Sequence, residues 1–216
     1  MLSSSRISFN FLVLISTLVL LYTGISFLSP ENQSVFLREN GVVETITLFA
    51  YAYCVILIAR FGGSDWIKSR WYLVAIIYLL LLRETDMHSK LTGHSIFGTR
   101  LYFHPDTSTF TSIMALSVVV FVLWVLYYSL KSHLRPLLND ISHGAAHAMF
   151  ILAALILAIF SKLIDGATRT FGKVGITVDA AAEHKFMQIE EIAELGIPLA
   201  LCFAITKYFS NQVQGE

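Results

Sequence analysis

The sequence predicts an all-α, polytopic membrane bundle of about six transmembrane helices, and three observations carry that prediction. Of its 216 residues, 56% are hydrophobic and 14% charged, more apolar and less charged than an average soluble domain. The mean hydropathy is +0.68. Apolar runs near the ~20 residues that cross about 30 Å of hydrocarbon recur at 8–28, 41–61, 71–88, 110–130, 145–164 and 186–208. Little sequence is left between these runs, so residues 1–216 read as a single transmembrane domain with no separate soluble module. The net charge of +0 gives no sign of a nucleic-acid partner.

The first run, in "MLSSSRISFNFLVLISTLVLLYTGISFL", follows one basic residue, as a secretory signal would. It is longer than a signal core and no A-x-A-like site follows, so it is expected to be the first span. The second opens on "NGVVETIT" and carries Glu44. The third has the shortest unbroken stretch, "WYLVAIIYLLLL", and reaches full length only by including Arg83 and Glu84. The fourth has Asp106 or Ser108 placed to cap it. The fifth ends on "SKLIDG" and the sixth contains "QIEEIAELGIP". Cys54 and Cys202 each fall inside a span, where cysteine behaves as a small hydrophobe, and not in a disulfide or zinc pattern. Trp66 and Trp71 are expected as interface anchors.

Loop charge sets the expected orientation. The short segments 62–70, "GGSDWIKSR", and 131–142, "KSHLRPLLNDIS", are basic, whereas "SPENQSVFLREN" holds one Arg against two Glu. Lys and Arg gather on the cytoplasmic side, so with six spans both termini are expected there. Alternate crossing then brings together, in one leaflet, the start of the second span, the end of the third, the end of the fifth and the start of the sixth. Those ends hold Glu44, then Arg83, Glu84, Asp86 and His88, then Lys162 and Asp165, and finally His184, Glu190, Glu191 and Glu194.

Helical spacing sorts these groups by face. At about 100° per residue, Glu183, His184, Glu190, Glu191, Glu194 and Pro198 share one arc of the last helix, with Met187 the one apolar residue among them, and apolar residues cover the rest except for Lys185 and Gln188 near the helix start. Pro198 lacks an N–H and crowds the carbonyl of Glu194, so a kink is expected beside a carboxylate. Glu84 and His88 are i,i+4 neighbours, while an Arg83–Asp86 pair and a Lys162–Asp165 pair read as ion pairs. Thr47 and Tyr51 follow Glu44 on its face. Seven acids thus stand against two fixed cations and two histidines. Carboxylates without partners in low dielectric take up a proton, keep water or bind a cation, and intramembrane carboxylates mark function by default.

Three readings follow from this set. The first is a metal-dependent enzyme acting on a lipid or lipid-linked substrate, a membrane hydrolase. Glu84, His88, Glu191 and Glu194 would hold a divalent zinc, manganese or iron ion, Glu190 would act as general base with Glu44 beside it, and Arg83, Lys162, Asp165 and His184 would bind substrate. The second makes the same acids the proton or cation site of a small transporter or channel. The third is a non-catalytic membrane scaffold or subunit whose acids are wetted and neutralised by Arg83, Lys90, Lys162 and Lys185. Membrane lipid is the expected partner, with a homo-oligomer or partner subunit left open. His143 and His147, i,i+4 in "SHGAAHAMF", read as an ordinary interfacial pair, and no haem is expected. The aromatic segment with His94 and His104 reads equally as an interfacial lid or a plain connection.

The succession "RENGVVETIT", "LRETDMHSKLTGHSIFGTRLYF" and "EEIAELGIP" resembles a group of bacterial multi-span membrane proteins with acids at the same helix ends. A looser similarity is to the ceramidase and adiponectin-receptor type of membrane hydrolase, which resembles this chain in placing metal ligands at helix ends within one leaflet. That family uses three histidines, an Asp and a Ser on seven helices, where this sequence has six spans and a set dominated by carboxylates. The resemblance therefore transfers no residue role.

Overall fold

A computed structural model of the chain describes residues 2–38, 41–85, 108–173 and 179–213. Among these are seven helices and no strand: α1 (Leu2–Ser26), α2 (Pro30–Leu37), α3 (Val42–Ser69), α4 (Trp71–Glu84), α5 (Thr109–Ser142), α6 (Ala146–Lys173) and α7 (Ala180–Val213). Helix is what lipid demands, since an unpaired peptide group in hydrocarbon costs several kcal/mol. Five stretches are long and apolar enough to cross a membrane: Phe9–Ser26, Pro30–Ser69, Thr109–Ser142, Ala146–Ala167 and Ala180–Gln212. The protein is a polytopic α-helical membrane protein.

The helices outrun the apolar runs that announce them. The basic segment 131–142, expected as a loop, is the continuation of α5, with Pro136 inside it. Likewise the last helix begins at Ala180, ahead of the apolar run from 186. The connection after α1 holds a helix of its own, α2, started by Pro30 in its first turn, where a missing N–H costs nothing. For the third span, α4 is 14 residues long, about 21 Å at 1.5 Å per residue. The remainder of that expected span, with Asp86 and His88, lies outside the described residues, as do Lys90, His94, His104 and Asp106.

Local sequence explains the ends and breaks. Gly63 leaves α3 with φ 69° and ψ 180°, a conformation open essentially to glycine, so the helix is broken at the "GGSD" signal. Gly41 makes the turn into α3, where a Cβ would stand 2.5 Å from the carbonyl oxygen of Arg38. After α5, Gly144 has φ 67°; its N–H bonds the Ile141 carbonyl and that of Ala145 the Asp140 carbonyl, the paired bonds of a Schellman stop. Ser108 caps α5 as expected, its hydroxyl accepting the Thr111 N–H at 3.2 Å. Asp179 caps α7 by accepting the Ala182 N–H at 2.7 Å.

The chain groups into two compact units, Met1–Leu57 with Asp140–Glu216, and Ile58–Asn139. In the first, α6 and α7 lie antiparallel, shown by the pairing of His147 with Tyr208, Phe150 with Phe203 and Ser161 with Glu194. Phe11 of α1 stacks on Phe150 at 4.2 Å. At the other end of α7, Ile192 and Leu195 pack with Ile25, Leu37 and Val43. Lipid tails are as apolar as leucine, so such helices associate through close packing and polar ties. Gly196 supplies the close packing: a Cβ there would come within 2.9 Å of Leu157 Cδ1 and 3.1 Å of Leu18 Cδ1. Gln188, buried, supplies the tie, its amide donating to the Tyr22 carbonyl and to Ser26 Oγ, each at 2.8 Å.

The second unit is organised by aromatic rings. Trp71 packs on Trp124 at 5.3 Å, and Tyr72 meets Tyr128 edge-on at 4.8 Å. The Tyr72 hydroxyl is 2.7 Å from His133 Nε2, joining the start of α4 to the polar continuation of α5. Trp66 carries the Arg70 guanidinium over its ring at 5.2 Å.

Candidate functional site

Among the described spans, α7 is the most enclosed: half of its most apolar stretch is buried, against 11% in α1 and in α5. Its apolar arc does the packing, since Ile192, Ala193, Leu195 and Ile197 are buried, while Glu190, Glu191 and Glu194 are half-buried. The two arcs are not cleanly packed and open: Pro198, on the arc of the acids, is buried, and Phe186, Ile189 and Leu199, on the apolar arc, are half-buried like the glutamates.

Glu194 has a defined partner on the neighbouring helix. Ser161 of α6, fully buried, donates its hydroxyl to Glu194 Oε1 at 2.9 Å. Four residues on, buried Pro198 has no N–H to offer the Glu194 carbonyl, so polar backbone accompanies the carboxyl. Ser161 escaped the sequence reading because a lone serine in an apolar run carries no signal until the α6–α7 register is known.

The other candidates separate into distinct local arrangements. Lys162 and Asp165 form an ion pair within α6, the pairing expected from their spacing. At the start of α7, His184 Nε2 lies 2.7 Å from Gln33 Oε1 of α2. The Gln33 amide nitrogen donates to the Leu28 carbonyl at 2.9 Å, so its oxygen is the acceptor and His184 donates. Glu44 is half-buried in the first turn of α3. Thr47 spends its hydroxyl inside that helix, on the Val43 carbonyl at 3.0 Å, and Tyr51 is fully buried.

Of the ligand set drawn for a metal, Glu191 and Glu194 belong to α7 and Glu84 to the end of α4, and His88 lies outside the described residues. Among the described residues, no three His, Cys, Asp or Glu side chains stand together as a metal would require.

Two further arrangements were not legible in the sequence. His147 Nε2 lies 3.1 Å from Asp140 Oδ2, and His143 Nδ1 lies 3.3 Å from Ser142 Oγ. Cys54 and Cys202, read singly as small hydrophobes, meet with their sulfurs 3.3 Å apart.

Compared with family models, with curated proteins and with solved structures, the chain matches none of them. Fold and site together define a multi-pass α-helical membrane protein with a serine-bonded glutamate inside one of its spans.

Proposed function

We propose that this protein exchanges a proton at Glu194 as part of a small proton-coupled transporter or channel. The hydrogen bond from Ser161 to Glu194 Oε1 is the observation that supports it. A hydroxyl rotates, so it donates to a carboxylate and accepts from a carboxylic acid. Ser161 can therefore keep its bond to Glu194 before and after protonation. Glu190 and Glu191, one turn away on α7, supply further acidic positions along the same arc, as proton relays in membranes do.

Metal-dependent lipid hydrolysis, the sequence's first expectation, has no comparable observation among the described residues and takes second place. The Lys and Arg of segments 62–70 and 131–142 support an orientation with both termini on the cytoplasmic side of a six-span chain, and the resemblance to bacterial multi-span proteins supports a bacterial cytoplasmic membrane.

A hydrophobic carbodiimide tests the reading. It reaches carboxyls from the lipid, adds to the protonated form and rearranges to a stable acylurea. Peptide mass spectrometry of the treated protein should find the adduct on Glu194, and Glu194→Gln should remove it. Adducts on other acids with none on Glu194 would overturn the assignment.

A further inference from the structure

Cys54 of α3 is fully buried, and Cys202 of α7 is half-buried. They are 148 residues apart in the chain, yet their sulfurs lie 3.3 Å apart. Each also contacts a carbonyl on the opposite helix. Cys54 Sγ donates to the Pro198 carbonyl at 3.4 Å, and Cys202 Sγ lies 3.9 Å from the Ala50 carbonyl. Two thiols packed against each other and against the other's backbone are held in register. A disulfide has its sulfurs about 2.05 Å apart, a closure within reach of small side-chain rotations.

We propose that Cys54 and Cys202 form a reversible intramembrane disulfide that ties α3 to α7, and that its oxidant is a lipid-soluble quinone. Both cysteines lie in stretches apolar enough to span the membrane. Thiol oxidation in water proceeds through the thiolate, a charge that hydrocarbon disfavours. Exchange with a quinone leaves no net charge behind. Two S–H bonds break, one S–S bond forms, and the two protons and two electrons reduce the quinone to its quinol. The half-buried Cys202 is the side from which a lipid-borne acceptor would approach. The bond would fix α7 to α3 one turn beyond Pro198, and it stands independently of the role given to Glu194.

The wild-type protein in phospholipid vesicles, incubated with a short-chain quinone, is the test. After denaturation, a maleimide counts free thiols and intact mass reads the bond. Two thiols are expected before treatment. None is expected afterwards, with the mass lower by two hydrogens and both thiols restored by dithiothreitol. Cys54→Ala should keep its single thiol throughout. Two thiols persisting under quinone would overturn the inference, and so would a mass gain from a quinone adduct or a disulfide between two chains.

Discussion

Ser161 Oγ and Glu194 Oε1 are 2.9 Å apart across the antiparallel α6–α7 pair, joining a fully buried hydroxyl to a carboxyl inside a membrane span. Interhelical hydrogen bonds in membranes are worth about 0.6 kcal/mol on average and up to about 1.7. Ser161→Ala should therefore lower stability by roughly 0.5–1.5 kcal/mol, while Ser161→Thr, which keeps the hydroxyl, should lose less. Detergent-titrated unfolding in sodium dodecyl sulfate measures both. Ser161→Ala at wild-type stability would mean that the hydroxyl contributes nothing.

Gln188 is the second polar tie, joining α7 to α1 through the Tyr22 carbonyl and Ser26 Oγ. Gln188→Leu removes both bonds but inserts an apolar side chain of similar size. It should cost about 1–2 kcal/mol. Gln188→Glu keeps a donor for the Tyr22 carbonyl only while its carboxyl is protonated, so its loss should grow as pH rises. The same unfolding titration orders the variants, and Gln188→Leu at wild-type stability would sink this assignment.

Gly196 is the close-approach point of α7. A methyl at its Cα would press on the ends of Leu157 and Leu18, which can shift, so Gly196→Ala should cost about 1 kcal/mol or less. Gly196→Val adds branches with nowhere to go, and overpacking of this kind costs about 1–3 kcal/mol. Thermal denaturation in detergent should rank wild type, Ala and Val in that order.

In the second unit, the Tyr72 hydroxyl reaches His133 Nε2 at 2.7 Å, while the Tyr72 ring packs on Tyr128. Tyr72→Phe keeps the ring and should cost about 1 kcal/mol. Tyr72→Ala, which also empties a buried aromatic site, should cost about 3–5 kcal/mol. Similar losses for the two would show that the hydroxyl and not the ring dominates.

How far the sequence reaches differs between fold and site. Helical spans were legible because hydrocarbon leaves the backbone few alternatives. Their ends were not, since hydropathy falls where a helix leaves the lipid, even when, as at "KSHLRPLLNDIS" in α5, the helix continues. The acids announced themselves by standing in apolar runs. Ser161 and the Cys54–Cys202 pair could not, because only tertiary register brings them to their partners. Periodicity assigns a face to a helix, but not the helix that will meet it.

Proton movement through reconstituted protein tests the central claim most directly. Wild-type and Glu194→Gln protein are sealed into vesicles with a trapped pH-sensitive dye, and an inward pH gradient is imposed with the membrane potential clamped. Wild-type vesicles should acidify faster than protein-free vesicles, and Glu194→Gln vesicles should match the protein-free rate. Glu194→Gln vesicles that acidify as fast as wild type, or wild-type vesicles no faster than empty ones, would contradict a proton-exchanging role for Glu194.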